Sequence, residues 1–280
     1  MSARTLLWIA IGLYAAFAAI RIALALFPKT IDVMPDELRY LDLARSLFTD
    51  GTLTIRGEDS TFQKVLYPLL LFPAMFFNDT VSQVRAIGVL SSLYVCTAVF
   101  PTFLIAKRVF GNRLLPNVTA QVLVLAMPDM CYSMTFMSES VFFPLALWLA
   151  YLMWVTLCNT TRRYPVLCLC SGLACYAVYL CKEVAAAYAI AFCVMLVILA
   201  IRKSRPRTDC IMGIACFLVG FLAPFVILKA TLFDGMGNSY NQMDPGILFS
   251  PYTWAFAIYA LVTDFTYLVV GFGFFCLAFP

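Results

Sequence analysis

Long apolar runs alternate with short polar intervals along this chain. The first run, about Leu6 to Phe27, follows Arg4, exceeds a signal-peptide core and lacks a small-residue cleavage site, which predicts a retained anchor helix. Further runs predict spans at about Val81–Ala106, Leu114–Met127, Ser140–Leu157, Tyr164–Leu180, Val184–Ile201 and Cys210–Leu232, with one more beginning near Thr253. Most approach the roughly 20 residues that carry a helix across a bilayer core; Leu114–Met127 is shorter and is expected to be tilted or extended. Val65–Phe77 is too short to cross and holds Pro68 and Pro73, so it predicts an interfacial or re-entrant piece. Only helices and closed barrels satisfy a backbone in hydrocarbon, and no series of alternating strands appears. The expected fold class is all-α, a polytopic transmembrane helical bundle of about seven or eight spans.

Residues 28–80 interrupt this rhythm as one long loop. From Asp36 the spacing turns helical: Tyr40, Leu43, Ala44, Leu47 and Phe48 share one face, and Arg39, Asp42, Arg45 and Ser46 take the other. An amphipathic helix over residues 36–48, lying parallel to the membrane, is predicted. Pro35-Asp36 opens it and Asp50-Gly51 closes it, Gly being the usual residue just past a helix end. Asp36 then sits at or beside the N-cap, where a carboxylate commonly accepts the first free amides.

Composition removes the soluble classes. The chain is 63% hydrophobic and 12% charged, with a mean hydropathy of +0.91, against about 45–50% apolar and about 25% charged residues in soluble domains. The net charge of +4 does not imply a nucleic-acid partner, because the basic residues fall in short loops, where they set orientation. Of the eleven cysteines, Cys168, Cys170, Cys175, Cys193, Cys216 and Cys276 lie inside apolar runs and read as small buried hydrophobes. With no histidine and no zinc-ligand spacing, no metal site is indicated and no cofactor is expected.

Under strict alternation, Arg4, Lys107, Arg108, Arg113, Arg162, Arg163, Arg202, Lys203, Arg205 and Arg207 all fall on one side, which makes the N-terminus cytoplasmic. The opposite side receives Asp32, Asp36, Glu37, Asp42, Asp50, Glu58, Asp59, Asp129, Glu139, Lys182, Glu183, Asp234 and Asp244. All candidate chemistry is therefore expected on the outer face of what reads as a plasma (inner) membrane protein. Residues 1–280 form one transmembrane module; because the chain stops at Pro280 inside an apolar run, it is expected to be truncated or to be the first module of a longer protein. Asn78-Asp79-Thr80 and Asn159-Thr160-Thr161 match the glycosylation sequon, a short and frequent pattern. Asp264, inside the last apolar run, is either functional or a sign that the helix begins later.

The order Asp36-Glu37, Arg39-Tyr40, Leu43-Ala44-Arg45, Gly51, Lys64 and Leu66-Tyr67-Pro68-Leu69-Leu70 resembles the first outer loop of the GT-C glycosyltransferases. The branch it looks most like comprises the bacterial protein-mannosyltransferase-like and aminoarabinose-transferase-like enzymes. Met137-Ser138-Glu139-Ser140-Val141-Phe142-Phe143-Pro144-Leu145 is similar to their acidic second outer loop. Gly172-Leu173-Ala174 through Leu180-Cys181-Lys182-Glu183 is similar to the Gly-x-x-x-G/A-x-x-x-x-Lys helix end. Together these cover roughly residues 6–200. The chain departs from the aminoarabinose branch in having Lys64-Val65-Leu66-Tyr67-Pro68-Leu69 in place of Lys-Pro-Pro-Leu, and the C-terminal region usual in the family is missing.

The resemblance implies an inverting transfer of a sugar from a polyprenyl-phosphate donor to a glycan, lipid or protein acceptor at the outer membrane surface. Asp36 is the first choice for the general base and Glu37 the second; adjacent on a helix, they point about 100° apart. Lys64, Lys182 and Arg39 are the candidates for the donor phosphate, where fixed cations meet developing negative charge. Glu139, Tyr40, Tyr67 and Glu183 are expected to contact substrate. Simpler roles stand beside these: Lys182 snorkelling to headgroups, Arg39 pairing with Asp42 or Glu37, Glu139 serving a helix start. The rival readings are a membrane transporter or lipid flippase, which predicts charges near mid-span, and a non-catalytic GT-C-like subunit.

Overall fold

The structure is a computed structural model that describes residues 2–27, 35–59, 64–126 and 136–231, together with positions 250, 251, 254, 255, 258, 259 and 262. The side chains of Pro35, Asp36 and Asp59 lie outside the description. So do Asp32, Asp129, Asp234, Asp244, Asp264 and most of the span predicted from Thr253. Residues 1–236 make one compact unit and residues 237–280 a second; in the second, the Trp254 N–H donates to the Ser250 carbonyl at 3.4 Å.

The first unit is almost entirely helical. Its elements are α1 (Ala3–Leu26), α2 (Pro35–Thr49), α3 (Leu66–Leu70), a 3-10 segment (Phe72–Phe76), α4 (Thr80–Cys96), α5 (Val99–Phe110), α6 (Leu114–Ala126), α7 (Glu139–Cys158), α8 (Tyr164–Tyr179), a 3-10 turn (Glu183–Ala185), α9 (Ala186–Ile201) and α10 (Arg207–Thr231). Among the described residues, five helical stretches are long and apolar enough to cross a membrane: Ala3–Leu26, Thr80–Phe110, Glu139–Cys158, Glu183–Ile201 and Arg207–Thr231. The predicted runs thus reappear as helices with ends within a few residues of those expected. The helices α6 and α8 are apolar but shorter, at 13 and 16 residues, or about 20 and 24 Å at 1.5 Å per residue.

Two local features were not legible in the hydropathy pattern. The run at Val81–Ala106 breaks at Thr97-Ala98, where the N–H groups of Thr97 and Ala98 donate to residues three back, Tyr94 and Val95. Pro101 supplies the cause, since it lacks the N–H that would bond the Thr97 carbonyl and its ring crowds that oxygen. The second is a small hairpin after α2, β1 (Thr54–Ile55) antiparallel to β2 (Glu58–Asp59), with Thr54 opposite Asp59 and Ile55 opposite Glu58. Its two-residue turn puts Arg56 and Gly57 at φ 55° and 82°, the left-handed pair that matches strand twist in such turns.

Packing is tightest between α8 and α10. A Cβ placed on Gly172 would collide with the Phe217 carbonyl and stand 3.0 Å from the Phe221 nitrogen; one on Gly220 would collide with the Leu169 carbonyl. Small residues let the two backbones touch, a usual device where lipid removes the hydrophobic drive between helices. Phe192 of α9 stacks on Phe217 of α10 with ring centroids 4.6 Å apart. At the other side of the unit, Gly88 of α4 admits Ala25 of α1, and Leu6, Ala10, Val95, Val99 and Leu125 join α1, α4, α5 and α6 in a second apolar core.

Candidate functional site

The polar residues singled out by sequence come from segments far apart along the chain, and most of them meet at one place. α2 begins at Pro35, whose missing N–H suits a first helical position. The backbone of Asp36 therefore lies one residue inside the helix. Its side chain, the first choice for a base, is outside the described residues. Glu37 points inward at 1% exposure, and its Oε1 accepts the backbone N–H of Phe136 at 2.8 Å. This carboxylate joins α2 to the segment that opens α7.

A second bond ties the same elements, because the Tyr40 hydroxyl donates to Ser138 Oγ at 3.1 Å. The edge of one ring faces the other between Tyr40 and Tyr67, with centroids 5.1 Å apart, and the Tyr67 hydroxyl lies 3.4 Å from Ser91 Oγ of α4. Burial holds the Tyr67 phenol above its ordinary pKa, so it stays protonated as a donor. Ser138 also reaches Glu139 Oε2 at 3.4 Å. Ser138 stands at the N-cap position of α7 without a side-chain cap bond, and Glu139 is the acidic residue of the first turn.

Glu139 also forms a salt bridge with Lys182, whose ammonium also lies 6.0 Å from the centre of the Phe142 ring. The Lys182 and Glu139 side chains are 31% and 12% exposed, so the pair is partly buried. Beside it, Lys64 Nζ lies 3.9 Å from Glu183 Oε2. The backbone adds a further joint: the Leu66 N–H donates to the Leu180 carbonyl at 3.1 Å. Cys181, wedged between these groups, donates its thiol to the Ser138 carbonyl at 3.6 Å. Burial first, then the Glu139 carboxylate, pushes that thiol up to about 12, against the opposing pull of Lys182 and Lys64. It is fully buried and held in its protonated form at this junction.

Of the candidate residues, Glu37, Tyr40, Lys64, Tyr67, Glu139, Lys182 and Glu183 thus belong to one connected cluster. Arg39 sits on the exposed side of α2. Sequence inspection missed Ser91, Ser138 as a relay, Ser140 beside Tyr67 and Cys181. Lone serines and cysteines in apolar surroundings give no periodic signal, and only the tertiary approach of α2, α4 and α7 brings them together. The predicted polar face of α2 also needs correction at Ser46, which is buried. Its hydroxyl bonds the Thr52 and Thr54 carbonyls and accepts the Thr54 N–H, so it holds the hairpin against the helix.

Chemically the cluster offers two ammonium groups, each matched by a carboxylate, and two tyrosine hydroxyls, on elements that fix one another. Among the described residues no group of three histidine, cysteine or acidic side chains is placed to hold a metal ion. The sequon-like segments are local turns: Asp79 accepts the Ser82 N–H at the start of α4, and Asn159 Oδ1 accepts from Thr161 N and Oγ1. No family model, curated protein or solved structure matches this chain.

Proposed function

We propose that this chain is the transmembrane module of a membrane glycosyltransferase that takes a sugar from a polyprenyl-phosphate donor at the extracytoplasmic surface. The observation that carries the reading is the junction of α2, α3, the start of α7 and the α8–α9 turn. It joins Glu37 and Tyr40 to Lys64, Tyr67, Glu139, Lys182 and Glu183 across gaps of up to 119 residues. These are the segments whose order resembles the GT-C loops, and the resemblance alone would not have required them to touch.

In this reading α2 lies along the membrane surface and Asp36, at its first turn, accepts the proton from the acceptor hydroxyl as the anomeric carbon is attacked. Lys64 and Lys182 stabilise the departing phosphate. Each is paired with a carboxylate in the free protein, and a phosphate dianion competes well for such a cation because both bonds are charge-assisted. Glu37 and Tyr40 act by positioning, fixing α2 against α7 so that Asp36 stays in register. The pairing of both lysines also favours a second reading, a non-catalytic module in which the same cluster only holds the helices.

The test uses the full chain reconstituted with a polyprenyl-phosphate sugar and a panel of acceptors. Asp36→Asn is expected to lower turnover by about 10²–10⁴-fold, the usual contribution of a general base, with the protein still folded and membrane-inserted. Turnover near that of the parent removes Asp36 as the base. No turnover from the parent chain with any acceptor favours the non-catalytic module.

A further inference from the structure

We infer that the groove between α1, the 3-10 segment and α4 holds an anionic glycerophospholipid, with its phosphate on Arg85 and one acyl chain lying in the groove. The groove encloses about 390 Å³ between Leu26, Pro73, Phe77, Val89 and Leu90, and Arg85 and Ser82 are its polar members. Arg85 is partly buried, and its Nε is shut away from solvent with no hydrogen-bond partner. No carboxylate among the described residues forms a salt bridge with it. A buried N–H left without a partner costs free energy, and within a membrane an ionisable side chain of this kind marks a functional site.

The surroundings specify what that site receives. Leu26 and Phe77, which line the groove, are 46% and 47% exposed, and with Pro73, Val89 and Leu90 they set hydrocarbon beside one cation. A free phosphate has no use for such walls, and a neutral lipid has none for the arginine. A phosphodiester carrying an acyl chain matches both, and the planar guanidinium binds its two free oxygens through a fork. Arg85 lies five residues beyond the first residue of α4, about 8 Å along the helix axis.

The groove is separate from the polar cluster. At 100° per residue, Arg85 and Ser91 are about 120° apart around α4, and Ser91 is the residue that meets Tyr67. The lipid is therefore a structural ligand that seals the α1–α4 contact at Ala25 and Gly88. Its binding rests on the membrane setting and not on the glycosyl-transfer reading, so loss of one leaves the other standing.

The test places the full chain in nanodiscs of equal phosphatidylglycerol and phosphatidylcholine, extracts it gently and weighs the retained lipid by native mass spectrometry. The parent chain is expected to retain phosphatidylglycerol over phosphatidylcholine. Arg85→Gln is expected to lower that preference roughly tenfold, the factor one charge-assisted hydrogen bond gives, and Arg85→Lys to lower it less. Val89→Trp, which fills the groove and keeps the cation, is expected to lower retention similarly, so that misfolding of either variant leaves the other to report. Unchanged retention in a folded Arg85→Gln, equal retention of the two lipids by the parent, or mole-for-mole displacement of phosphatidylglycerol by polyprenyl phosphate overturns the inference; the last assigns the groove to a donor lipid.

Discussion

Glu139 and Lys182 separate a structural role from a chemical one at the residue scale. Their pair is partly buried, and Ser138 and Phe142 enclose it. Removing one partner leaves the other charge unmatched, which costs about 1–3 kcal/mol at a buried polar group; removing both leaves a neutral gap that costs less. Glu139→Gln or Lys182→Met alone is therefore expected to lower stability by about 1–3 kcal/mol, and the double variant to recover most of it, as measured by unfolding in a denaturing-detergent titration. Transfer activity follows a different rule. If Lys182 meets the donor phosphate, the double variant regains stability and stays inactive, whereas recovery of both together assigns the pair to structure. Sequence alone picked out both residues, because charges are rare in so apolar a chain. It could not pair them, since their contact spans 43 positions.

At the scale of the element, hydropathy gave the helices and local chemistry gave some of their ends. Gly51 closes α2 at φ 66°, as the Asp50-Gly51 pair predicted, whereas the Asp79 cap of α4, in a segment read as a sequon, emerges only from the structure. The Pro101 break and the Arg56-Gly57 hairpin went unseen because a hydropathy average does not register a missing N–H or a left-handed turn. The face of α2 was read correctly at Tyr40, Leu43 and Ala44 and incompletely at Glu37, Leu41 and Ser46, all of them buried. A helix beside membrane and protein together has more than one covered side, and periodicity reports only the apolar one. The glycine of the Gly-x-x-x-G/A-like stretch acquires a physical reason of its own: Gly172 is where the α8 and α10 backbones touch. Gly172→Leu is expected to push α10 away and lower stability by at least the roughly 1–3 kcal/mol of an overpacked core. In contrast, Gly12→Leu, in open space on α1, is expected to be nearly neutral. Thermal unfolding of the two variants in one detergent checks the contrast, and equal losses would remove the close-contact account.

For the molecule as a whole, the connections between elements decide how many times the chain crosses, and they make the short α6 the critical piece. Arg45 bonds Gln83 at 2.8 Å, so α2 and the start of α4 share one end of the first unit. The Thr80–Phe110 stretch, 31 residues and on the order of 45 Å, then carries the chain past its break at Thr97-Ala98 to the other end at Gly111. Residues 136–139 are back beside α2, tied by Glu37 and Tyr40. The return is therefore expected to involve α6, although α6 spans only about 20 Å of the roughly 30 Å hydrocarbon core. The turns after α7 and α9 lie together at the far end, where Arg205 donates to the Leu157 and Asn159 carbonyls. The segment from Leu66 to Phe76 is too short to add a crossing, with α3 and the 3-10 segment at five residues each. In a bilayer, this order is expected to leave Arg113, Arg163 and Arg207 on one side and Asp79, Glu139 and Glu183 on the other, and the excess of basic residues predicts that the first side is cytoplasmic. Green fluorescent protein, which folds inside, and alkaline phosphatase, which acts only outside, check it when fused after these residues. Fluorescence is expected after Arg113, Arg163 and Arg207, and phosphatase activity after Asp79, Glu139 and Glu183. If α6 fails to cross, the fusion after Glu139 reports the same side as the one after Arg113, and the polar cluster could not then form from α2 and α7. If Leu66–Phe76 crosses, every report from Asp79 onward inverts and the basic turns face outward.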